Sequence, residues 1–490
     1  MSQPAAPPSR RSSRGSAEAP ARSGGSISAF FSKHPRAWLA AALGVAFLLL
    51  GTGAVFAGAA VGGAAGPTGV GPSSTAGAGR PVLADMPGAS RLRTCSVAGP
   101  AADERLASLY GAVVNTGTGE LLFDRSAGSG VPQGSIEQLL TAAAALNILG
   151  PDYTLSTRVF EGSMAGTIAL VGGGDPTISR LGPGEESVYA GAEKLSNLAA
   201  QVKNAWTGGE VTTIILDATA WSDGDKWDET WPRAEQTQGR LSEVTALQVD
   251  GDRNDPTAQT SGRSTDPITR AGQYFARALD EAGVDIDPDT VAFQRASAIT
   301  TRPLLGEVRS QPVSVLVAQM LKASDATLAE SLARIVSKAM GLGGTAASLN
   351  QAISSALAVY EVPTTGLSIR DGSGTSPANA VPPSFIAKFM VKLMQGANNL
   401  NIIYDSLSVA GSSGTLSNRF SGDNADARGN VRGKASSAGG AHSLAGIITA
   451  ADGSTLAFAF YSVGGNDSAR AALDTLTAAV YRCGDNLANN

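Results

Sequence analysis

The sequence predicts an α+β fold on three observations: strand-like segments lie early and late in the region after residue 94, helical segments lie between them, and two cysteines bracket that region. Strands from both ends then share one antiparallel sheet, and the termini meet. Residues 111–124 predict a hairpin, with Ala-Val-Val, a turn over Asn115-Thr116-Gly117-Thr118-Gly119, then Leu-Leu-Phe. Residues 135–149 are apolar nearly all round and predict a buried helix. Three more strands follow at 430–436, 443–450 and 456–463, the last two joined by a tight turn at Asp452-Gly453. A helix over 468–482 closes the chain.

The chain has 490 residues, 43% hydrophobic and 16% charged, enough for two or three packed domains. Residues 1–37, rich in Ser, Pro, Ala and Arg, predict a disordered cytoplasmic tail. The uncharged apolar run 38–62 is long enough to cross about 30 Å of hydrocarbon as one membrane helix. Arg10, Arg11, Arg14, Arg22, Lys33 and Arg36 precede it against Glu18 alone, so the positive-inside rule places the C-terminal bulk outside the cell membrane. Secretion after signal cleavage behind Ala57-Gly58-Ala59 is the alternative. Residues 63–94 form a Gly/Pro/Ala linker. The remainder carries about −10 net charge, which argues against nucleic acid as a partner.

Cys95 and Cys483 sit at the two ends of the folded region, and in an oxidising exterior they read as one disulfide clasp, with two unpaired buried thiols as the alternative. Neither has metal-ligand spacing, and the histidines are only His34 and His442, so no metal and no cofactor is expected.

Motifs decide the family. Ser135-Ile136-Glu137-Gln138 precedes Leu-Leu-Thr-Ala-Ala-Ala-Ala-Leu. Gly172-Gly173-Gly174-Asp175-Pro176, Ser324-Asp325-Ala326 with Leu328-Ala329-Glu330-Ser331-Leu332, and Asp371-Gly372-Ser373-Gly374 follow. Then come Val409-Ala410-Gly411 with Ser413-Gly414-Thr415-Leu416, and Val431 to Lys434. In this order they resemble the class C low-molecular-mass penicillin-binding proteins, the D-alanyl-D-alanine carboxypeptidase and endopeptidase family, over roughly residues 102–483.

The resemblance implies a penicillin-binding-protein/β-lactamase-like transpeptidase fold, an antiparallel sheet packed with helices plus a helical subdomain, over 95–156 and 310–490. The long interval between Ser135 and Ser324 implies an inserted, mainly strand-rich domain at 157–309. Within it Trp221, Trp227 and Trp231 lie among Asp223, Asp225, Asp228 and Glu229, which reads as a loop pinned by aromatic residues ahead of a sugar-stacking platform.

By the same resemblance Ser135 stands in the nucleophile position, Ser324 in the proton-shuttling position, and Lys434 on a strand lining the cleft. Backbone N–H groups of Ser135 and Ser437 form the oxyanion hole. Each motif has lost a residue. Gln138 replaces the lysine that takes the serine's proton, and an amide accepts no proton near pH 7. Ala326 replaces the asparagine that holds the substrate amide. Ala435 and Ser436 replace the threonine and glycine after Lys434, and Ser436 shares a strand face with Lys434 where glycine leaves room.

Local structure offers competing readings. Ser135-x-x-Gln138 is also a capping box, and Ser324, Asp325 or Thr327 could cap the helix through Glu330 to Met340. Lys434 is the best substitute base, because burial lowers an ammonium's pKa. A triad through His442 is weaker, since it lies beyond the motif strand with no carboxylate partner. Asp371 to Gly374 reads as a turn beside the cleft. The expected function is an extracytoplasmic homologue that acts on or binds peptidoglycan stem peptides, with weak or no peptidase activity and a cell-wall protein as a further partner. The alternative is a slow serine carboxypeptidase with Lys434 as base.

Overall fold

A computed structural model describes residues 92–489. The expected tail 1–37, the membrane helix 38–62 and the linker up to residue 91 lie outside the described residues. Among the described residues, no helix is long and apolar enough to cross a membrane.

With strands numbered in chain order, the main sheet runs β2 (Leu121–Arg125), β1 (Ser108–Asn115), β11 (Thr455–Val463), β10 (Ala441–Thr449), β9 (Val431–Ala438), β8 (Ser408–Val409), antiparallel throughout. The hairpin turn forms because Asn115 Oδ1 accepts from the N–H groups of Gly117 and Thr118. The first strand pairs with the last over eight residues, from Ser108 opposite Val463 to Asn115 opposite Leu456. Alternation places Val113, Leu444, Phe458 and Phe460 on one face, against Leu473, Leu476 and Val480 of the C-terminal helix.

Numbering helices of seven residues or more, these are α1 (Glu137–Ile148), α2 (Leu195–Ala205), α3 (Pro267–Glu281), α4 (Val313–Ala323), α5 (Ala326–Ala339), α6 (Leu349–Leu357), α7 (Pro383–Gln395), α8 (Leu400–Ser406) and the C-terminal α9 (Ala469–Cys483). The opposite sheet face, with Ala445, Ile447, Ala457, Ala459 and Tyr461, belongs to one apolar cluster with α1, α5, α6 and α7. Helix α1 is buried from Glu137 to Leu146, which accounts for a sequence without a polar face.

A second sheet, in the order β6 (Ala292–Arg295), β5 (Thr213–Asp217), β4 (Thr167–Gly172), β3 (Ser156–Glu161), β7 (Leu304–Arg309), occupies the interval expected to be mainly strands. It carries more helix than that expectation. The β4–β5 and β5–β6 pairs are parallel, and parallel neighbours need a crossover, which α2 and α3 supply. Leu198, Val202, Phe275 and Leu279 of these helices join the core of this sheet. Several bonds tie the insertion to the main domain, among them buried Arg253 paired with Asp325 at 2.8 Å, the Trp231 indole N–H donating to Asp371 at 2.7 Å, and Arg370 paired with Asp228 at 2.7 Å. Trp221 and Trp231 are buried and pin their loop.

Cys95 and Cys483 are disulfide-bonded with Cα atoms 5.4 Å apart. Flanking backbone bonds, Cys95 N–H to Asn486 and Ala488 N–H to Cys95, hold the N-terminal segment beside the chain end. A cross-link over so long a loop mainly restricts the unfolded chain. Replacing both cysteines by serine should lower stability by about 2–5 kcal/mol, read from urea unfolding under non-reducing conditions. An unchanged midpoint would show that the clasp adds nothing.

Candidate active site

The chain enters α1 through a left-handed Gly134, φ +58°, and a short 3₁₀ turn, Gly134–Ile136, that holds Ser135. The capping box does not form. A capping serine needs an extended backbone outside the helix, whereas Ser135 lies inside the turn and makes no side-chain cap. Gln138 Nε2 instead points to the Ser373 carbonyl, at 3.4 Å, and its Oε1 is buried without a hydrogen-bond partner. The Ser135 hydroxyl lines the cleft, and no side chain among the described residues hydrogen-bonds it.

Ser324 is the residue between α4 and α5, in the left-handed region at φ 56°, ψ 44°. It is not the cap of α5. Asp325 fills that role, accepting from the Leu328 N–H at 3.0 Å while its other oxygen pairs with Arg253. Ala326 opens α5 and lines the cleft with no polar side-chain atom to offer a substrate.

Strand β9 brings the third motif alongside. Lys434 is wholly buried, and its ammonium donates to Ser324 Oγ at 2.7 Å and to the Ala435 carbonyl at 3.1 Å. Burial alone pushes its pKa from 10.5 down to about 7. Ser436, on the same face, turns its hydroxyl to accept from the Ser135 N–H at 2.7 Å. The expected oxyanion donor on Ser135 is therefore occupied by a side chain. Gly134 makes the approach feasible, since a Cβ there would lie 2.2 Å from Ser436 Oγ. Ala435 faces the opposite side of the sheet, in the core against α9.

His442 lies beyond the end of the motif strand, on β10, where the β9–β10 hairpin turns at Gly439-Gly440 and returns it opposite Ser437. Its Nδ1 lies 2.9 Å from Ser437 Oγ. The pair sits on the sheet face away from Lys434 and Ser436, so His442 bonds Ser437 and not Ser135.

The cleft around these groups measures about 730 Å³ and is lined by Ser135, Ser324, Ala326, Ser436 and Ser437, with Arg253, Arg419 and Arg470 toward its margins. Behind Ser135 lies the loop from Asp371 to Gly374. Asp371 accepts from the N–H groups of Gly374 and Ser376, at 2.7 and 2.6 Å. Gly374 packs directly on the backbone of Gly134 and Ser135. Glu330 Oε1 accepts from Gly372 N–H and Ser373 N–H, both at 2.8 Å.

Sequence reasoning missed Glu137 and Glu330 as parts of the site. The available signal was an acid among the apolar residues that open α1, and an acid between the apolar pairs Leu328-Ala329 and Leu332-Ala333 of α5. Glu137 bonds to Gln133, and burial, then the Asp371 charge, raises its pKa well above the usual range. The same causes bring Glu330 to about 8. Among the described residues, no cluster of His, Cys, Asp or Glu is arranged to hold a metal ion.

The site thus combines a serine at a helix entry, a second serine bonded to a buried lysine, and that lysine on the strand next to the sheet edge. Residues 94–262 and 247–480 match the profile of the D-Ala-D-Ala carboxypeptidase 3 (S13) family. The chain belongs to that family. This S13 chain is 33% identical over 400 residues to a carboxypeptidase of Mycobacterium tuberculosis, covering 80% of this chain and 84% of the relative. It is 32% identical over 394 residues to the carboxypeptidase DacB of Mycolicibacterium smegmatis, covering 79% and 84%. Its fold is similar to that of penicillin-binding protein 4 from Haemophilus influenzae, with a TM-score of 0.64 at 19% identity, over 76% of this chain and 95% of the other. The penicillin-binding-protein-like α+β fold is thereby shown.

Two stability profiles follow from the buried groups. The unfolded chain keeps the Lys434 proton up to about pH 10.5, while the folded S13 chain releases it near 7, so stability falls as pH drops through that window. Lys434→Met should therefore resist urea better than the natural chain at pH 6.5, by about 1 kcal/mol or more, with the advantage shrinking toward pH 10. Glu330 has the opposite sign. The folded chain holds its proton to about pH 8 and the unfolded chain releases it near 4.5, so stability falls as pH rises between them. Glu330→Gln keeps both accepted N–H bonds and should lose less stability than the natural chain between pH 5 and 8. Parallel profiles for the two proteins would contradict this.

Proposed function

We propose that this S13 member binds peptidoglycan stem peptides ending in D-alanyl-D-alanine while turning them over weakly or not at all at Ser135. The observation that carries the proposal is that both reacting parts of Ser135 are compromised. Its hydroxyl has no base beside it, since the Gln138 amide is directed to Ser373 and the Lys434 ammonium to Ser324. Its N–H is taken by Ser436. Loss of a general base alone removes about 10²–10⁴ in rate, and a capped oxyanion donor about 10²–10³. Ala326 withdraws a side chain that would position the peptide. Binding survives such losses better than catalysis, because it needs the cleft and not the proton path.

A second reading is favoured by Lys434: a slow serine carboxypeptidase in which this lysine replaces the missing base. A lysine near neutrality at pH 7 suits general-base work.

We place the folded region outside the cell membrane, anchored through residues 38–62 or secreted after cleavage, with a cell-wall protein as a further partner. The Cys95–Cys483 disulfide supports an oxidising compartment.

D-Alanine release from a pentapeptide mimic tests the reading. The natural chain should release it at least about 100-fold more slowly than a variant combining Gln138→Lys, Ala326→Asn and Ser436→Gly, while equilibrium dialysis shows the natural chain binding the peptide. Release at an ordinary carboxypeptidase rate, abolished by Ser135→Ala, would overturn it.

A further inference from the structure

The serine that has kept a base is not the one in the nucleophile position. Ser324 lines the cleft, is half-buried, and its oxygen lies 2.7 Å from the amine of Lys434. No carboxylate among the described residues pairs with Lys434, whose other bond is to the Ala435 carbonyl. We propose that Ser324, with Lys434 as its base, is the nucleophile through which this cleft forms an acyl-enzyme with the terminal carbonyl of a stem peptide or its ester and thioester analogues. The proposal rests on the second reading above, Lys434 as base, and moves the attacking oxygen from Ser135 to Ser324.

Three further observations support it. Capping of α5 and the ion pair with Arg253 both fall to Asp325, so Ser324 has Lys434 as its hydroxyl's partner. Its backbone is nevertheless held in the left-handed region, which costs a non-glycine residue of order 1 kcal/mol. Glycine would relieve that cost, so the hydroxyl is retained against the conformational preference of its own backbone. Finally, burial leaves a large share of Lys434 as free amine at neutral pH, and serine–lysine pairs recur as nucleophile and base on unrelated folds.

The step balances without any outside reagent. In the free-amine form the contact reverses, and the Ser324 hydroxyl donates to Nζ. As the proton passes to Lys434, Oγ attacks the carbonyl carbon. The bond to the leaving amine, alkoxide or thiolate breaks, and Lys434 returns the proton to that group. Water then gives its proton to Lys434 and attacks the Ser324 ester, which leaves as the hydroxyl after taking the proton back.

The test is mass mapping of the purified full chain after incubation with an N-acyl-D-alanyl thioester and, separately, with benzylpenicillin. The expected result is an acyl adduct on the peptide containing Ser324. Its rate of formation should rise through pH 7 and fall at least tenfold in Ser324→Gly, which suits the left-handed backbone, and in Ser324→Ala. Lys434→Met should remove the rise with pH, a change that a merely structural role would not produce. An adduct on Ser135 would overturn the proposal while leaving Lys434 available as base. Absence of any adduct from the natural chain, shown folded by circular dichroism, would overturn both.

Discussion

The pairing of the first strand with the last is the constraint on which the rest of the molecule depends. β1 cannot find its partner until β11 has been made, so the sheet closes only when both ends of the chain are present. Once closed, it gives α1 and α9 their two opposite faces and leaves β9 nearly unpaired on its outer side. The short β8 pairs with β9 at Arg432 and Gly433, so the stretch from Ala435 to Ala438 borders a cleft and not another strand. The insertion is carried from the helical side of this frame, held by Arg253 and Trp231.

The frame was legible because it rests on local patterns. Alternation in residues 456–463, the turn residues between 115 and 119, and the all-round apolar run of α1 each specify their element without help from distant sequence. The order of the motifs carried the family for the same reason. What was not legible depended on partners far along the chain. The capping box at Ser135 and Gln138 looked sufficient locally, yet a left-handed Gly134 and an approaching Ser436, 301 residues away, set the backbone differently. That a glycine pair returns His442 opposite Ser437 was likewise a matter of strand pairing. The helices of the insertion were missed because the parallel pairing that requires them is a tertiary fact.

The site concentrates ionisable groups where water is scarce. Burial brings the Lys434 pKa down to about 7 and raises those of Glu137 and Glu330, while Asp371 accepts hydrogen bonds from Trp231, Gly374, Ser376 and Asn379. Burial dominates each shift, and the Asp371 charge adds to it at both glutamates. These groups lie beneath the cleft, whose own lining combines serine hydroxyls with charged side chains such as Arg240, Arg419 and Arg470. Arg419 and Arg470 are already paired, with Asp474 at 2.7 Å and Asp467 at 3.0 Å.

The bond between Ser436 and Ser135 also bears on how the site responds to substitution. Gln138 stands one turn from the Ser135 hydroxyl and is directed to Ser373, while Ser436 holds the Ser135 N–H, so two atoms of one residue are governed by two separate positions. Effects on a shared unit do not add, so a change at either position alone still meets the contact left by the other. For anyone redesigning the cleft the two positions are one variable, read only when both are changed together.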